Sequence, residues 1–312
     1  MRAVFMGTPD IAAEVLKSLL QSGKHEITAV VTQPDRPKGR GKELAASPVK
    51  LLAEEYHIPV LQPEKVKAPE AVAQLKELAP EVILVAAFGQ ILSKEILTLP
   101  KYGCLNVHAS LLPEYRGAAP IQRAILDGKK KTGITIMRMD EGIDTGDMLC
   151  KEEVVITDTE TGQSLHDKLA AAAGPLLLSA LSQVEEGTAV YVPQNHEAAT
   201  YTKMLRKEQG KLDFTAPAEY LERTIRGLSP WPSAYTYWKG KTLKFWKASV
   251  SYDRVEACPC GTLVSVKDGM LWIMTGNGIL KVQELQPEGK RRMTAEEFLR
   301  GYPLVPGLVF GS

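Results

Sequence analysis

The chain reads as an α/β protein in two parts: a doubly wound, Rossmann-like parallel sheet, then a small β-barrel of the OB type. Three observations predict this. Over the first 189 residues, short β-branched runs alternate with helical stretches, the pattern of βαβ units on a parallel sheet. Residues 82–87 are apolar throughout, as a strand covered on both faces must be. From about residue 211 the pattern changes to short strands separated by turn signals such as Lys239-Gly240 and Asp268-Gly269. Five such strands suit a five-stranded barrel.

In order, residues 3–6 read as a strand and 11–20 as an apolar-periodic helix. Residues 27–32 make a second strand, and 48–56 and 69–78 two helices on either side of a short extended stretch. Strands at 82–87 and 105–109, a helix at 119–127 and strands at 133–139 and 148–156 follow. Residues 165–184 form a long alanine-rich helix, after which periodicity fades through 191–204. The expected organisation is a catalytic domain at 1–189, a linker at 190–208 and a barrel domain at 209–312, its strands at 233–238, 242–250, 261–267, 270–275 and 278–285. In doubly wound sheets ligands bind beyond the carboxyl ends of the strands, so residues just after strands carry the chemistry.

Composition excludes several classes. With 44% hydrophobic and 24% charged residues in 312, the chain is neither disordered nor a disulfide framework. No apolar run approaches the ~20 residues that span a bilayer, and the first residues lack a signal-peptide core. Cys258-Pro259-Cys260 has one intervening residue and no second pair, so a metal site is not expected. A cytoplasmic protein with reduced thiols fits best. The totals of 38 basic and 37 acidic side chains hide an asymmetry: residues 1–199 carry 21 and 26, residues 200–312 carry 17 and 11. An acidic part joined to a basic part suggests a polyanionic partner.

The first βα turn, Gly7-Thr8-Pro9-Asp10, lacks the glycines of a pyrophosphate cradle, and Pro9 removes an N–H donor; a nicotinamide dinucleotide is not expected. The strongest constellation runs Leu105-Asn106-Val107-His108-Ala109-Ser110-Leu111-Leu112-Pro113-Glu114-Tyr115-Arg116-Gly117. Asn106 and His108, two apart in a strand, share a face. An amide donor beside an imidazole suits carbonyl chemistry, one stabilising a developing oxyanion and the other moving a proton. Asp144, between glycines in Gly142-Ile143-Asp144-Thr145-Gly146, can be presented by a tight loop. Beside His108 it would fix the imidazole tautomer and accept a proton from an attacking amine.

The segment 106–117 resembles the signature of the folate-dependent formyltransferases, with Asp144 at that family's third catalytic position. The resemblance extends over the whole chain, through Gln33-Pro34-Asp35-Arg36-Pro37, Ser47-Pro48-Val49-Lys50, Ile225-Arg226-Gly227-Leu228-Ser229-Pro230-Trp231-Pro232 and Glu296-Glu297-Phe298-Leu299-Arg300-Gly301. It implies transfer of the formyl group of 10-formyltetrahydrofolate to the amino group of methionine carried by initiator tRNA, by a monomer needing no metal. Asn106, His108 and Asp144 would be the catalytic trio. Ser110, Leu111, Leu112 and Pro113, with Phe88, Gly89 and Gln90, would border the folate.

Arg36, Lys38, Arg40 and Lys42, four basic residues around Gly39 and Gly41, form a cationic segment near the ligand edge. In similar enzymes it enters the acceptor stem, with Arg40 at the arginine position. Lys203, Arg206 and Lys207 are further tRNA candidates, as are Lys239, Lys241, Lys244, Lys247, Lys290, Arg291 and Arg292. Trp231, Tyr235, Tyr237, Trp238 and Trp246 are expected in the barrel core rather than as base-stacking faces. A formyltransferase acting on a small amine, such as a nucleotide-sugar or glycinamide ribonucleotide, and a noncatalytic RNA-binding protein on the same scaffold are the alternatives. The basic segments argue against the first and the intact trio against the second.

Overall fold

The structure is a computed structural model describing residues 1–38 and 43–311. Its elements run β1 (Arg2–Gly7), α1 (Asp10–Ser22), β2 (Glu26–Val31), β3 (Arg36–Lys38), β4 (Glu43–Ala45), α2 (Pro48–Glu55), β5 (Val60–Leu61), α3 (Pro69–Glu77), β6 (Val82–Ala86), α4 (Lys94–Leu97), β7 (Cys104–His108) and β8 (Arg116–Gly117). There follow α5 (Pro120–Leu126), β9 (Lys131–Arg138), β10 (Met148–Val155), α6 (Gly162–Glu185), β11 (Tyr201–Thr202) and α7 (Ala218–Gly227). The rest is β12 (Ala234–Trp238), β13 (Lys241–Ser251), β14 (Leu263–Lys267), β15 (Met270–Met274), β16 (Ile279–Pro287), β17 (Met293–Thr294) and α8 (Ala295–Gly301). Two compact units result. The first comprises Met1–Pro120, Lys131–Val155 and His166–Thr202; the second comprises Ile121–Lys130, Ile156–Leu165 and the chain from Lys203 onward.

The first unit is built on a seven-stranded sheet in the order β10-β9-β7-β6-β1-β2-β5. Strands β5, β2, β1, β6 and β7 are parallel, whereas β9 runs antiparallel to β7 and β10 antiparallel to β9. The central strands bury nearly everything: all five residues of β6 and the last five of β1. Val4, Met6, Ile83 and Val85 share one core with Phe88, Leu92 and Ile96, each side chain contributing about 1.5–3 kcal/mol by leaving water. Ser47 starts α2 by accepting from the Lys50 amide at 3.1 Å, with Pro48 at the first helical position.

From β1 the chain passes to β2 and β5 on one side, then returns through α3 to β6 on the other. Gly7 pairs with Ala86, and Ala86 with Val107. The carboxyl ends of β1, β6 and β7 therefore stand in a row at the switch point of the sheet, where such folds hold their ligands.

The second unit carries an antiparallel sheet in the order β12-β13-β16-β15-β14, with β17 on β16. Two turns close as the turn chemistry predicts. Trp238 pairs with Lys241 and Lys267 with Met270, and Lys239-Gly240 and Asp268-Gly269 have φ of 51°, 69°, 53° and 70°, the left-handed pair that a two-residue hairpin requires. Leu243, Phe245, Leu271, Ile273, Leu280 and Val282 form its core. The ladder leaves β12 and β14 as edges, and the C-terminal segment bonds near both. Leu263 N donates to Leu308 O at 2.7 Å, Phe310 N to Gly261 O at 2.9 Å and Gly311 N to Tyr237 O at 2.9 Å. Unpaired edge groups are covered this way.

Three expectations need correction. Helix α7 interrupts the region expected to hold only strands and turns; it buries Ala218, Leu221, Thr224 and Ile225, a spacing of three to four that the dense charges between them obscured. Trp231 is not core but 58% exposed, whereas Tyr235 is buried and Tyr237, Trp238 and Trp246 are half-buried. The segment expected to be a linker is built into the first unit as far as Thr202, through the parallel pairing of β11 with β8.

Candidate active site

Strand β7 is buried along its length between β6 and β9, and Asn106 and His108 project from one face near its carboxyl end. Asp144 lies 36 residues beyond His108 in sequence, in the loop between β9 and β10, with φ of 52°. The fold brings the three together. Asp144 Oδ1 accepts from Asn106 Nδ2 at 3.3 Å, and Oδ2 accepts from the Gly117 amide at 2.8 Å. The same Oδ2 stands 3.5 Å from His108 Nδ1, in a site where the two side chains are 7% and 16% exposed.

The imidazole is held from its other side. His108 Nε2 lies 3.0 Å from the Tyr115 carbonyl oxygen. A carbonyl only accepts, so Nε2 carries a hydrogen and Nδ1 is the nitrogen that faces Asp144. The sequence reading assigned the tautomer to Asp144; in the structure the Tyr115 carbonyl selects it. Asp144 is thereby left to face Nδ1 and the Asn106 amide.

The loop after β7 is pinned rather than loose. Ser110 is fully buried, its hydroxyl donating to Glu114 O at 2.6 Å and its carbonyl accepting from Thr135 Oγ1 at 2.7 Å. Leu112 N donates to that same Thr135 oxygen at 3.1 Å, and Lys151 Nζ donates to Leu112 O. Burial lowers the Lys151 pKa from its ordinary value. The Ser110 and Leu112 side chains are both buried, while Leu111 and Pro113 are half-buried.

Along the neighbouring edge, Phe88 is buried and its carbonyl accepts from Thr8 Oγ1 at 3.3 Å and Gln33 Nε2 at 3.1 Å. Gly89 is exposed, and Gln90 reaches away to the Val66 amide at 2.7 Å and Pro63 O at 3.2 Å. Thr8, Gln33, Arg36 and Gly89 line an open cavity of about 550 Å³ at this switch point. Asp35 anchors its rim: the hydrogen bond from Lys50, then that from Gln62, holds its carboxyl below the usual range. A cavity of about 840 Å³ lined by Lys94, Lys101, Arg138 and Tyr191 lies instead toward the amino end of β7. Size does not mark the site; the converging polar groups do.

Among the basic candidates, Arg36 is exposed at the start of β3 and Lys38 ends that strand; Arg40 and Lys42 lie outside the described residues. In the second unit Lys203, Arg206, Lys207, Lys239, Lys241, Lys247 and Lys290 are exposed. Lys244 stands over the Trp246 ring at 5.7 Å, Arg292 pairs with Glu284 at 2.6 Å and Arg291 with Glu297 at 3.0 Å. Among the described residues no group of three or more His, Cys, Asp or Glu side chains is placed to hold a metal ion.

Sequence reasoning missed the groups behind the trio. Arg116 is fully buried and has no carboxylate partner among the described residues, its Nε and Nη2 donating to Gln194 Oε1 at 3.0 and 2.7 Å and Nη1 to Tyr201 Oη at 2.9 Å. Thr200 and Thr202 bond the backbone on either side of it: the Tyr115 amide donates to Thr200 Oγ1 at 2.8 Å and Thr202 Oγ1 donates to Arg116 O at 3.2 Å. Gln194, Thr200 and Thr202 sit in a stretch with no apolar period, so no sequence signal marked them.

The formyl transferase family matches residues 1–181, and its C-terminal domain matches residues 204–303. The chain belongs to the formyl transferase family, a family of group-transferring enzymes. A methionyl-tRNA formyltransferase of Agathobacter rectalis is 49% identical over 310 residues, 99% of each chain. Within the family, the chain therefore groups with the methionyl-tRNA formyltransferases. The fold alone is shared with more distant structures. One is an N-formyltransferase of Helicobacter canadensis in complex with folinic acid and dTDP-3-aminofucose, with a TM-score of 0.66 and 17% identity over 91% of this chain and 98% of that one. Another is HypX of Aquifex aeolicus in complex with tetrahydrofolic acid, with a TM-score of 0.64 and 16% identity over 96% of this chain. The present chain covers 47% of that HypX chain. No helix among the described residues is long and apolar enough to cross a membrane.

Proposed function

We propose that this enzyme transfers the formyl group of 10-formyltetrahydrofolate to the α-amino group of methionine on initiator methionyl-tRNA, a cytoplasmic step of translation initiation. The observation that carries the mechanism is the Asp144 carboxylate. It accepts from Asn106 and from the Gly117 amide while facing His108 Nδ1. The folate co-substrate supplies an activated formyl carbonyl when bound against Phe88, Gly89 and Gln90 and the pinned loop of Ser110, Leu111, Leu112 and Pro113. Negative charge then develops on the carbonyl oxygen as the amine attacks. The Asn106 amide and a protonated His108 Nδ1 are the donors available to that oxygen. Asp144 stabilises the imidazolium and takes up the proton released by the amine, His108 gives its Nδ1 proton to the departing folate nitrogen, and the proton on Asp144 passes to Nδ1 to restore the site. Neither step needs a metal.

The tRNA is proposed to bind through two basic surfaces, the Arg36, Lys38, Arg40 and Lys42 segment and the second unit, whose sheet we infer to be an OB-like barrel. The exposure of Lys203, Arg206, Lys207, Lys239, Lys241 and Lys247 supports this. Binding of charged tRNA is expected to weaken linearly on a log–log plot against salt, by about 0.7–0.9 per phosphate neutralised. Affinity indifferent to salt refutes a backbone-tracking surface. Arg40→Leu is expected to reduce kcat/KM for methionyl-tRNA at least about tenfold, the scale of one lost phosphate contact of about 1.4 kcal/mol, while leaving folate binding unchanged. Equal losses for both substrates remove Arg40 from the tRNA surface. Formylation of methionyl initiator tRNA, elongator tRNA and free small amines, measured side by side, tests the assignment; a small amine accepted best would move the enzyme to the small-amine branch.

A further inference from the structure

We propose that Gln194 is a positioning residue for catalysis, holding the Asp144 carboxylate in register with Asn106 and His108, and that buried Arg116 fixes the orientation of its amide. Gln194 is 4% exposed and lies in the segment between the ranges matched by the two family domains. Its Nε2 donates to Asp144 O at 2.9 Å and to Gly146 O at 2.8 Å, and its Oε1 accepts from Arg116 Nε at 3.0 Å and Nη2 at 2.7 Å. Two donors and two lone pairs are all a primary amide has, and all four are used. Flipping the amide would set its NH₂ against guanidinium donors and its oxygen against two carbonyls, so only one orientation is compatible with its neighbours.

What this clamp holds is an unfavourable backbone conformation. Asp144 has φ of 52°, a region that an aspartate occupies only when its surroundings favour it. Fixing the carbonyls of Asp144 and Gly146 fixes the intervening turn and, through it, where the carboxylate points. Arg116 also belongs to the other half of the site. It follows Tyr115, whose carbonyl holds His108 Nε2, and precedes Gly117, whose amide holds Asp144 Oδ2. Arg116 and Gln194 therefore tie the loop that orients the imidazole to the loop that orients the carboxylate. Arg116 Nη2 also approaches Nδ1 of the exposed His196 at 3.2 Å, so the arginine's other contacts come from the same segment.

The inference rests on the role proposed for Asp144, and the test separates the two. Gln194→Glu keeps the volume and the pairing with Arg116 but turns a carboxylate oxygen toward the carbonyls of Asp144 and Gly146. It is expected to fold with an undiminished thermal midpoint while kcat falls about 30–100-fold and KM for either substrate moves less than about threefold, the signature of an interaction lost only in the transition state. Gln194→Met removes the donors outright and should lose kcat similarly. In an Asp144→Asn background either change is expected to cost less than about threefold, because residues acting through one group are not additive. Wild-type kcat in Gln194→Glu with an inactive Asp144→Asn enzyme overturns the inference alone. The same fold loss in both backgrounds, or a loss appearing in KM, makes Gln194 merely structural. Full activity of Asp144→Asn overturns the underlying reading.

Discussion

Asp144→Asn is expected to lower formylation turnover by about 10³–10⁴-fold, the scale seen when a carboxylate facing a catalytic imidazole is made neutral. The substitution changes no volume, yet it cannot satisfy the site. Asp144 accepts from Asn106 Nδ2 with one oxygen and from the Gly117 amide with the other. An asparagine must turn its NH₂ toward one of these two donors, leaving donor against donor. It also removes the negative charge facing His108 Nδ1 at 3.5 Å, which in the proposed mechanism stabilises the imidazolium and receives the proton of the incoming amine. KM for methionyl-tRNA and for folate should move less than about threefold, since neither loss bears on ground-state binding. Steady-state kinetics together with a thermal melt check the prediction. A folded variant retaining a tenth or more of wild-type turnover rules out this role.

The second large effect concerns a residue with no side chain. An added Cβ at Gly146 would stand 1.8 Å from the carbonyl oxygen of Arg138 and 3.3 Å from the Asp140 amide nitrogen. Here β9 ends and the chain returns, with the Arg138 amide donating to Asp147 O at 2.8 Å. Because the clashing atom is backbone, one of the two chains must move. Gly146→Ala is expected to cost about 2–3 kcal/mol of stability, in the range of overpacking in a rigid region. Such a loss lowers the melting temperature by roughly 5–10 °C in a unit of this size. It should also cut kcat more than about 100-fold, because the Gly146 carbonyl is one of the two that Gln194 holds. A variant with an unchanged melt and turnover would show that the loop relaxes without disturbing Asp144.

Most of the framework was legible in the primary structure. Local signals sufficed wherever the physics is local. The five buried residues of β6 announce a central strand, and Lys239-Gly240 and Asp268-Gly269 announce two-residue hairpins. Asn106 and His108, two residues apart in a strand, had to share a face. Helix α7 was missed because its buried Ala218, Leu221 and Ile225 are separated by Glu219, Glu222 and Arg223, so the apolar period was diluted. Trp231 is expected in the core from the density of aromatics in short strands, and density does not say which side of a turn faces solvent.

The residue types of the proposed reaction, the strand that carries two of them and the asymmetry of charge were determined by the sequence alone, because each depends on neighbours one to four residues away or on simple sums. Only the tertiary structure decided which nitrogen of His108 faces Asp144, since that depends on the Tyr115 carbonyl being turned toward Nε2. Only it showed that a stretch expected to be a linker returns to the site, placing Gln194 between Arg116 and the Asp144 loop. Arg116 and Gln194 are 78 residues apart, and a side-chain amide leaves no periodicity by which such a partner can be read. Hydrogen bonds over that separation are set by the path of the whole chain, which is why the trio could be named from its sequence and its support could not.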